Sequence, residues 1–160
     1  MNKKAEFRVI IAGCRDFNDY KLLSEKCDNI LGNKQKTHDV IVISGGARGA
    51  DRLGERYARE HGLPFRVFPA DWERDGNSAG PKRNALMAAN ADALIAFWDG
   101  ASKGTKNMIE IARSRGLLIR VIQYAPLSQR FASSEPSAPA NTFLLDYHDE
   151  ERHVHRGFHL

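Results

Sequence analysis

Five short runs of branched apolar residues, FRVIIA (7–12), VIVIS (40–44), FRVF (65–68), ALIAF (93–97) and LLIRVIQ (117–123), alternate with segments of helical spacing at 20–31, 50–61, 81–90 and 105–115. The runs are short, rich in Val and Ile, and bounded by Gly, Pro or Asp, so they read as buried strands. Each intervening segment stops on Gly, Asn or another polar residue, as helices do. Strict alternation restricts the fold: parallel strands joined by right-handed crossovers place helices on both faces of one sheet. We expect a Rossmann-like doubly wound α/β sheet of five parallel strands in the order 3-2-1-4-5. That order puts a switch point between the first and fourth strands, and ligands of such sheets bind in the crevice that opens there at the carboxyl edge.

Four loops leave the strands on that edge: GCRDF (13–17), SGGARGAD (44–51), PADWERDGNSAGPKRN (69–84) and WDGASKGT (98–105). A tight strand-to-helix turn capped by Asp51 needs one glycine at most, yet SGGARGAD has three. The surplus lets backbone N–H groups approach an anion at a helix N-terminus, where the dipole also favours negative charge. Ser44, Gly45, Gly46, Arg48, Gly49 and Asp51 are therefore candidate phosphate-binding residues. WDGASKGT repeats the pattern, with Gly100, Ser102, Gly104 and Thr105 at the start of another helix. Neither loop is a P-loop, because Ala50 and Thr105 stand where that motif requires lysine, and neither is GxGxxG.

Arg15 and Arg83, with Arg48, carry guanidinium forks suited to phosphate, and Gly13 and Asn84 lie beside them in sequence. Asp16 and Asp99 are placed to accept from ribose hydroxyls, and Trp72 or Trp98 could stack on a base. Asp99 as a plain turn residue and Trp98 as core are equally open. His38 and His61 fall away from the rim, so no nucleophile, general base or metal set emerges, and we expect no catalytic residue.

The chain has 160 residues, enough for one domain with a remainder. We expect that domain over 1–125, a Ser/Ala/Pro-rich linker over 126–140 and a tail over 141–160. The tail opens on a candidate short strand and carries His148, His153, His155 and His159, whose scattered spacing reads as solvated rather than metal-binding. A balance of 24 Lys+Arg against 20 Asp+Glu gives a net charge of +4, with the basic residues dispersed. That suits a small anionic ligand and argues against a nucleic-acid-binding stripe. Cys14 and Cys27, the two cysteines, read as buried reduced thiols. With no apolar leader and no run of about 18 apolar residues, a cytoplasmic protein with no membrane contact is expected.

Taken together, GCRDF, ISGGARGADRLGERYARE, FPADW, AGPKRNALM, ADALIAFWDG and SKGTKNMIEIA resemble the YspA/YpsA-related branch of the SLOG superfamily, the Rossmann-like proteins related to LOG and DprA. The resemblance runs over residues 7 to 123 and implies a nucleotide-binding domain of bacterial or phage origin. The implied ligands are related to NAD or ADP-ribose, bound for sensing, and a bound nucleotide is the one cofactor it suggests. LOG enzymes cleave N-glycosidic bonds of nucleoside monophosphates with an arginine in MHxRKxxM and a glutamate in PGGxGTxxE. GPKRNALM keeps that arginine as Arg83, and SKGTKNM keeps Gly104 and Thr105, but Met108 occupies the glutamate position. A thioether neither moves a proton nor stabilises a cationic centre, and Glu110, two residues on, turns to another side of its helix. Hydrolysis is thus the alternative to binding, and DprA-like binding of single-stranded DNA is the second alternative. Relatives with this fold pair through their helices, which implies a homodimer.

Overall fold

The computed structural model describes residues 2–125 and, as backbone, residues 145–148. Five parallel strands, β1 (Ala5–Gly13), β2 (His38–Ser44), β3 (Phe65–Val67), β4 (Ala93–Trp98) and β5 (Leu118–Gln123), lie in the expected order β3-β2-β1-β4-β5. The winding reverses between β1 and β4, whose register runs from Val9↔Ala93 to Gly13↔Phe97.

Alternation along β1 explains why both faces are covered. Phe7, Val9 and Ile11 point to one side and pack with residues of α1 (Tyr20–Leu31) and α3 (Ala50–Glu60), among them Leu23, Cys27 and Tyr57. Ile10 and Ala12 point to the other side and meet Met87 and Ala88 of α5 (Ala79–Ala89) and Met108, Ile109 and Ala112 of α6 (Lys103–Ser114). Val9, Ile10 and Ile11 are each wholly buried. At roughly 1.5–3 kcal/mol for each such side chain, the central strand forms a rigid base for the loops at its carboxyl end. Gly54 brings α3 close to β1, since a Cβ there would lie 2.7 Å from Ile11 Cγ2.

Local chemistry sets the helix ends. Asp19 caps α1 by accepting from the Leu22 N–H at 3.0 Å, and Ser102 caps α6 by accepting from Thr105 N–H at 3.4 Å. The helix expected from residue 81 begins two residues earlier, so Pro81 falls in the first turn of α5, where its missing N–H costs nothing. Two four-residue helices, α2 (Lys34–Thr37) and α4 (Trp72–Asp75), and a 3₁₀ turn at Gly76–Ser78 were not foreseen. Such segments are too short to show a 3.6-residue period.

A sixth strand, β6 (Leu145–His148), pairs antiparallel with β5, from Gln123↔Leu145 to Arg120↔His148. It lies where a short strand was expected in the tail, and it extends the five-stranded sheet by one. The linker expected over 126–140 and the tail histidines His153, His155 and His159 lie outside the described residues. Among the described residues no helix is long and apolar enough to cross a membrane.

Candidate functional site

The carboxyl ends of β1, β2 and β4 deliver their loops to one side of the switch point, where a cleft of two lobes opens. The first lobe, of about 580 Å³, is lined by the ends of β1 and β4, the N-terminal half of α5 and the first turns of α6. It gathers Gly13, Arg15, Asp16, Asp51, Arg83, Asn84, Asp99, Ser102, Gly104 and Thr105. The second lobe, of about 520 Å³, adds Gly45, Gly46 and Arg48. Arg15, Ala47, Trp72 and Arg83 line both lobes and form the waist between them.

Three expected residues do not line the cleft and have packing roles instead. Gly49 has φ +81°, and a side chain on it would collide with the carbonyl oxygen of Cys14, the acceptor of Ala50 N–H at 3.2 Å. It fastens the loop to the end of β1. Ser44 is wholly buried and donates to Glu55 Oε1 at 2.8 Å. Gly100 has φ +83°, and a Cβ there would lie 2.7 Å from Gln123 Nε2.

Inside SGGARGAD, two N–H groups expected to face an anion are turned onto the loop's own side chains. Gly46 N–H donates to Ser44 Oγ at 3.0 Å, and Ala47 N–H donates to Asp51 Oδ2 at 3.3 Å. Positive charge reaches the loop through guanidinium groups. Arg83 Nη1 donates to the Gly45 carbonyl at 2.6 Å, and Arg52 Nε donates to the Gly46 carbonyl at 3.1 Å. Arg83 seats here because Gly45 carries no side chain: a Cβ would lie 2.5 Å from Arg83 Nη1 and 2.7 Å from Asp51 Oδ2.

Arg83 also ties the two glycine loops together. Its Nε donates to Asn84 Oδ1 at 3.1 Å, and Asn84 Nδ2 donates to the Gly104 carbonyl at 3.3 Å and to Asn107 Oδ1 at 3.0 Å. One turn of α5 therefore spans from the loop after β2 to the first turn of α6. Asn84 is buried, so it positions these elements more than it offers itself to a ligand.

The electrostatics follow from burial. Asp51 is 4% exposed, and burial pushes its carboxyl up to about 6, against the opposing pull of Arg83 and the N–H groups of Ala47 and Gly13. Glu55, one turn further along α3, adds to the rise. Burial lowers Arg83, and the charge of Asp51 works against that. For Asp99, burial alone would raise the carboxyl, but N–H bonds from Ser102 and Ala101 outweigh it and leave it below the ordinary range. Those bonds, at 2.8 and 2.9 Å, commit Asp99 Oδ1 to holding its own loop.

Asp16 Oδ1 accepts from the Tyr124 hydroxyl at 3.3 Å. Cys14, Asp16 and Asp99 place their ligand atoms within 4.8 Å of one another. Burial raises the Cys14 thiol, and a thiol must lose its proton before it ligates a metal. The two carboxylates are thus better suited to accepting from hydroxyl groups. Of the two tryptophans, Trp98 donates Nε1–H to the Ser102 carbonyl at 3.1 Å and packs against the core. Trp72 is 50% exposed at the waist, with the Arg15 guanidinium 5.6 Å from its ring.

Sequence reasoning did not single out Arg52, Glu55 and Asn107. Asp51 and Glu55 are four residues apart on α3 and so share the face toward the glycine loop, a spacing that could have revealed the second buried carboxylate. Asn107 lies three residues past Gly104, on the side of α6 that faces the cleft.

Residues 7–74 match the YspA, cpYpsA-related SLOG family. The Gene 61 protein of Mycobacterium phage D29 is 36% identical over 118 residues, covering 69% of this chain and 91% of that protein. The X-ray structure of the structural-genomics target TM1055 superposes with a TM-score of 0.51 at 21% identity, over 72% of each chain. DNA processing protein A (DprA) from Streptococcus pneumoniae superposes with a TM-score of 0.59 at 14% identity, over 77% of this chain and 52% of that one. At those identities the two structures speak for the fold alone.

Proposed function

Because the chain belongs to the YspA, cpYpsA-related SLOG family, we propose that its cleft binds a nucleotide or nucleotide derivative of the NAD or ADP-ribose kind and serves as a binding or sensing module. The observation that carries this reading is the waist of the cleft. Two guanidinium groups, Arg15 and Arg83, and a half-exposed indole, Trp72, meet there between lobes of about 580 and 520 Å³. Guanidinium forks suit phosphate oxygens, an exposed indole suits a base, and Asp16 and Asp99 sit in the first lobe as acceptors for sugar hydroxyls. The volumes fall in the range of small-molecule sites.

Binding is favoured over turnover by Met108, a buried thioether lining the first lobe, where LOG-type hydrolysis would need a carboxylate. Calorimetry with AMP, NAD and ADP-ribose tests the reading. At least one should bind, and Arg83→Ala should weaken it by about tenfold or more, the equivalent of one charge-assisted hydrogen bond. Arg48→Ala should cost less, because Arg48 is exposed and lines the second lobe alone. If all three nucleotides leave the calorimeter silent, the reading is wrong.

A further inference from the structure

The buried carboxyl of Asp51 is more than a helix-start residue. It lines the first lobe, receives the Ala47 N–H at 3.3 Å, and shares with Arg83 the space beside Gly45, where a Cβ would lie 2.7 Å from Asp51 Oδ2 and 2.5 Å from Arg83 Nη1. The charged groups that face it are Arg83 from α5 and Glu55 from α3, and the Gly13 and Ala47 N–H groups complete its surroundings. Arg15 in turn bears on Arg83, whose guanidinium its charge disfavours. Arg83 is thus the one cation among these immediate neighbours, and it belongs equally to the waist where an anion would seat.

Building on the binding reading above, we infer that the cleft takes up its anion together with a proton, and that Asp51 is the group that carries this proton. An anion on Arg83 draws the guanidinium's charge to itself and sets a second negative charge beside a carboxylate already cut off from water. Two like charges in such a site do not both stay ionised. Solvent supplies the proton, Asp51 becomes a neutral acid, and one of its carboxyl oxygens turns from an acceptor into an O–H donor for the incoming oxygen. Glu55 is held otherwise, as the acceptor of the Ser44 hydroxyl. Free Asp51 sits at about 6, so only about a tenth is protonated at pH 7 and nearly a full proton remains to be taken up. The consequence is a nucleotide site whose affinity rises as pH falls.

Calorimetry with ADP-ribose or inorganic sulfate reads this directly, because neither exchanges a proton of its own near neutrality. AMP is unsuitable, as its phosphate titrates at about 6. Titrations at pH 7 in buffers of different ionisation enthalpy should show uptake of at least about 0.5 proton per anion bound, and affinity should tighten by up to about tenfold per unit from pH 8 to pH 6. Asp51→Asn should abolish both effects. Binding with no buffer-dependent heat overturns the inference and leaves the binding reading intact, as does undiminished uptake in Asp51→Asn. Failure of both anions to bind overturns the inference, and silence with AMP and NAD as well overturns the binding reading with it.

Discussion

Gly45 and Gly49 lie four residues apart in one loop, and replacing each by alanine should have opposite consequences. At Gly49 the backbone is at φ +81° and the new Cβ would collide with the Cys14 carbonyl, which no rotamer change can move. Left-handed backbone alone costs a non-glycine residue about 1–3 kcal/mol, and the clash with main chain adds to it, so Gly49→Ala should lose more than about 3 kcal/mol of stability. At Gly45 the colliding atoms are Arg83 Nη1 at 2.5 Å and Asp51 Oδ2 at 2.7 Å. Arg83 has the longer and more flexible side chain, so it is the group that yields. The loss is its bond to the Gly45 carbonyl, of 2.6 Å, about 1.5–3 kcal/mol for a hydrogen bond from a charged donor. The guanidinium then no longer sits at the waist, and affinity for ADP-ribose should fall by about 10- to 100-fold. Urea unfolding and calorimetry on the two variants separate the effects. Gly45→Ala should stay folded and bind poorly, whereas Gly49→Ala should be the less stable of the two. Full affinity in Gly45→Ala would show that the seat of Arg83 on the glycine loop is irrelevant to the ligand.

Two further predictions concern the walls of the cleft. The Asp51 carboxyl ionises at 3.8 in its ordinary setting and at about 6 in the fold, so the folded state holds the extra proton between those values and stability falls as pH rises through that window. The difference of roughly two units corresponds to about 3 kcal/mol; Asp51→Asn should therefore be more stable than wild type by up to that amount at pH 8 and lose the margin by pH 4, as followed by urea unfolding. Trp72→Ala should weaken nucleotide binding by about 1–3 kcal/mol, the worth of one base stacked on an aromatic ring, and should cost less stability than truncation of a fully buried aromatic because the side chain is half-exposed; Trp72→Phe should recover most of the affinity.

The sheet order was readable because every strand is a short branched run and every connection is helical, which leaves few topologies open. The convergence of Arg15, Arg83 and Asp51 followed from it, since all three lie on loops or in the N-terminal halves of helices at the same edge. What escaped was the direction of individual groups. Three glycines announce a loop with special backbone needs, but the sequence does not tell Gly49, packed on Cys14, from Gly45, packed on Arg83. Nor does it reveal that Ser44 and Asp51 take up the N–H groups of Gly46 and Ala47, because that depends on side-chain rotamers in a buried turn. Trp72 and Trp98 looked equivalent for a similar reason: α4, only four residues long, has no periodicity to say which indole faces the cleft.

Backbone amide NMR of the protein titrated with ADP-ribose addresses the location of the site most directly. The geometry predicts shifts concentrated at 13–16, 44–51, 83–84 and 99–105 and at the Trp72 indole N–H, with the opposite, amino-terminal edge of the sheet unchanged. Shifts centred on that opposite edge, or no shifts with AMP, NAD and ADP-ribose alike, would contradict it.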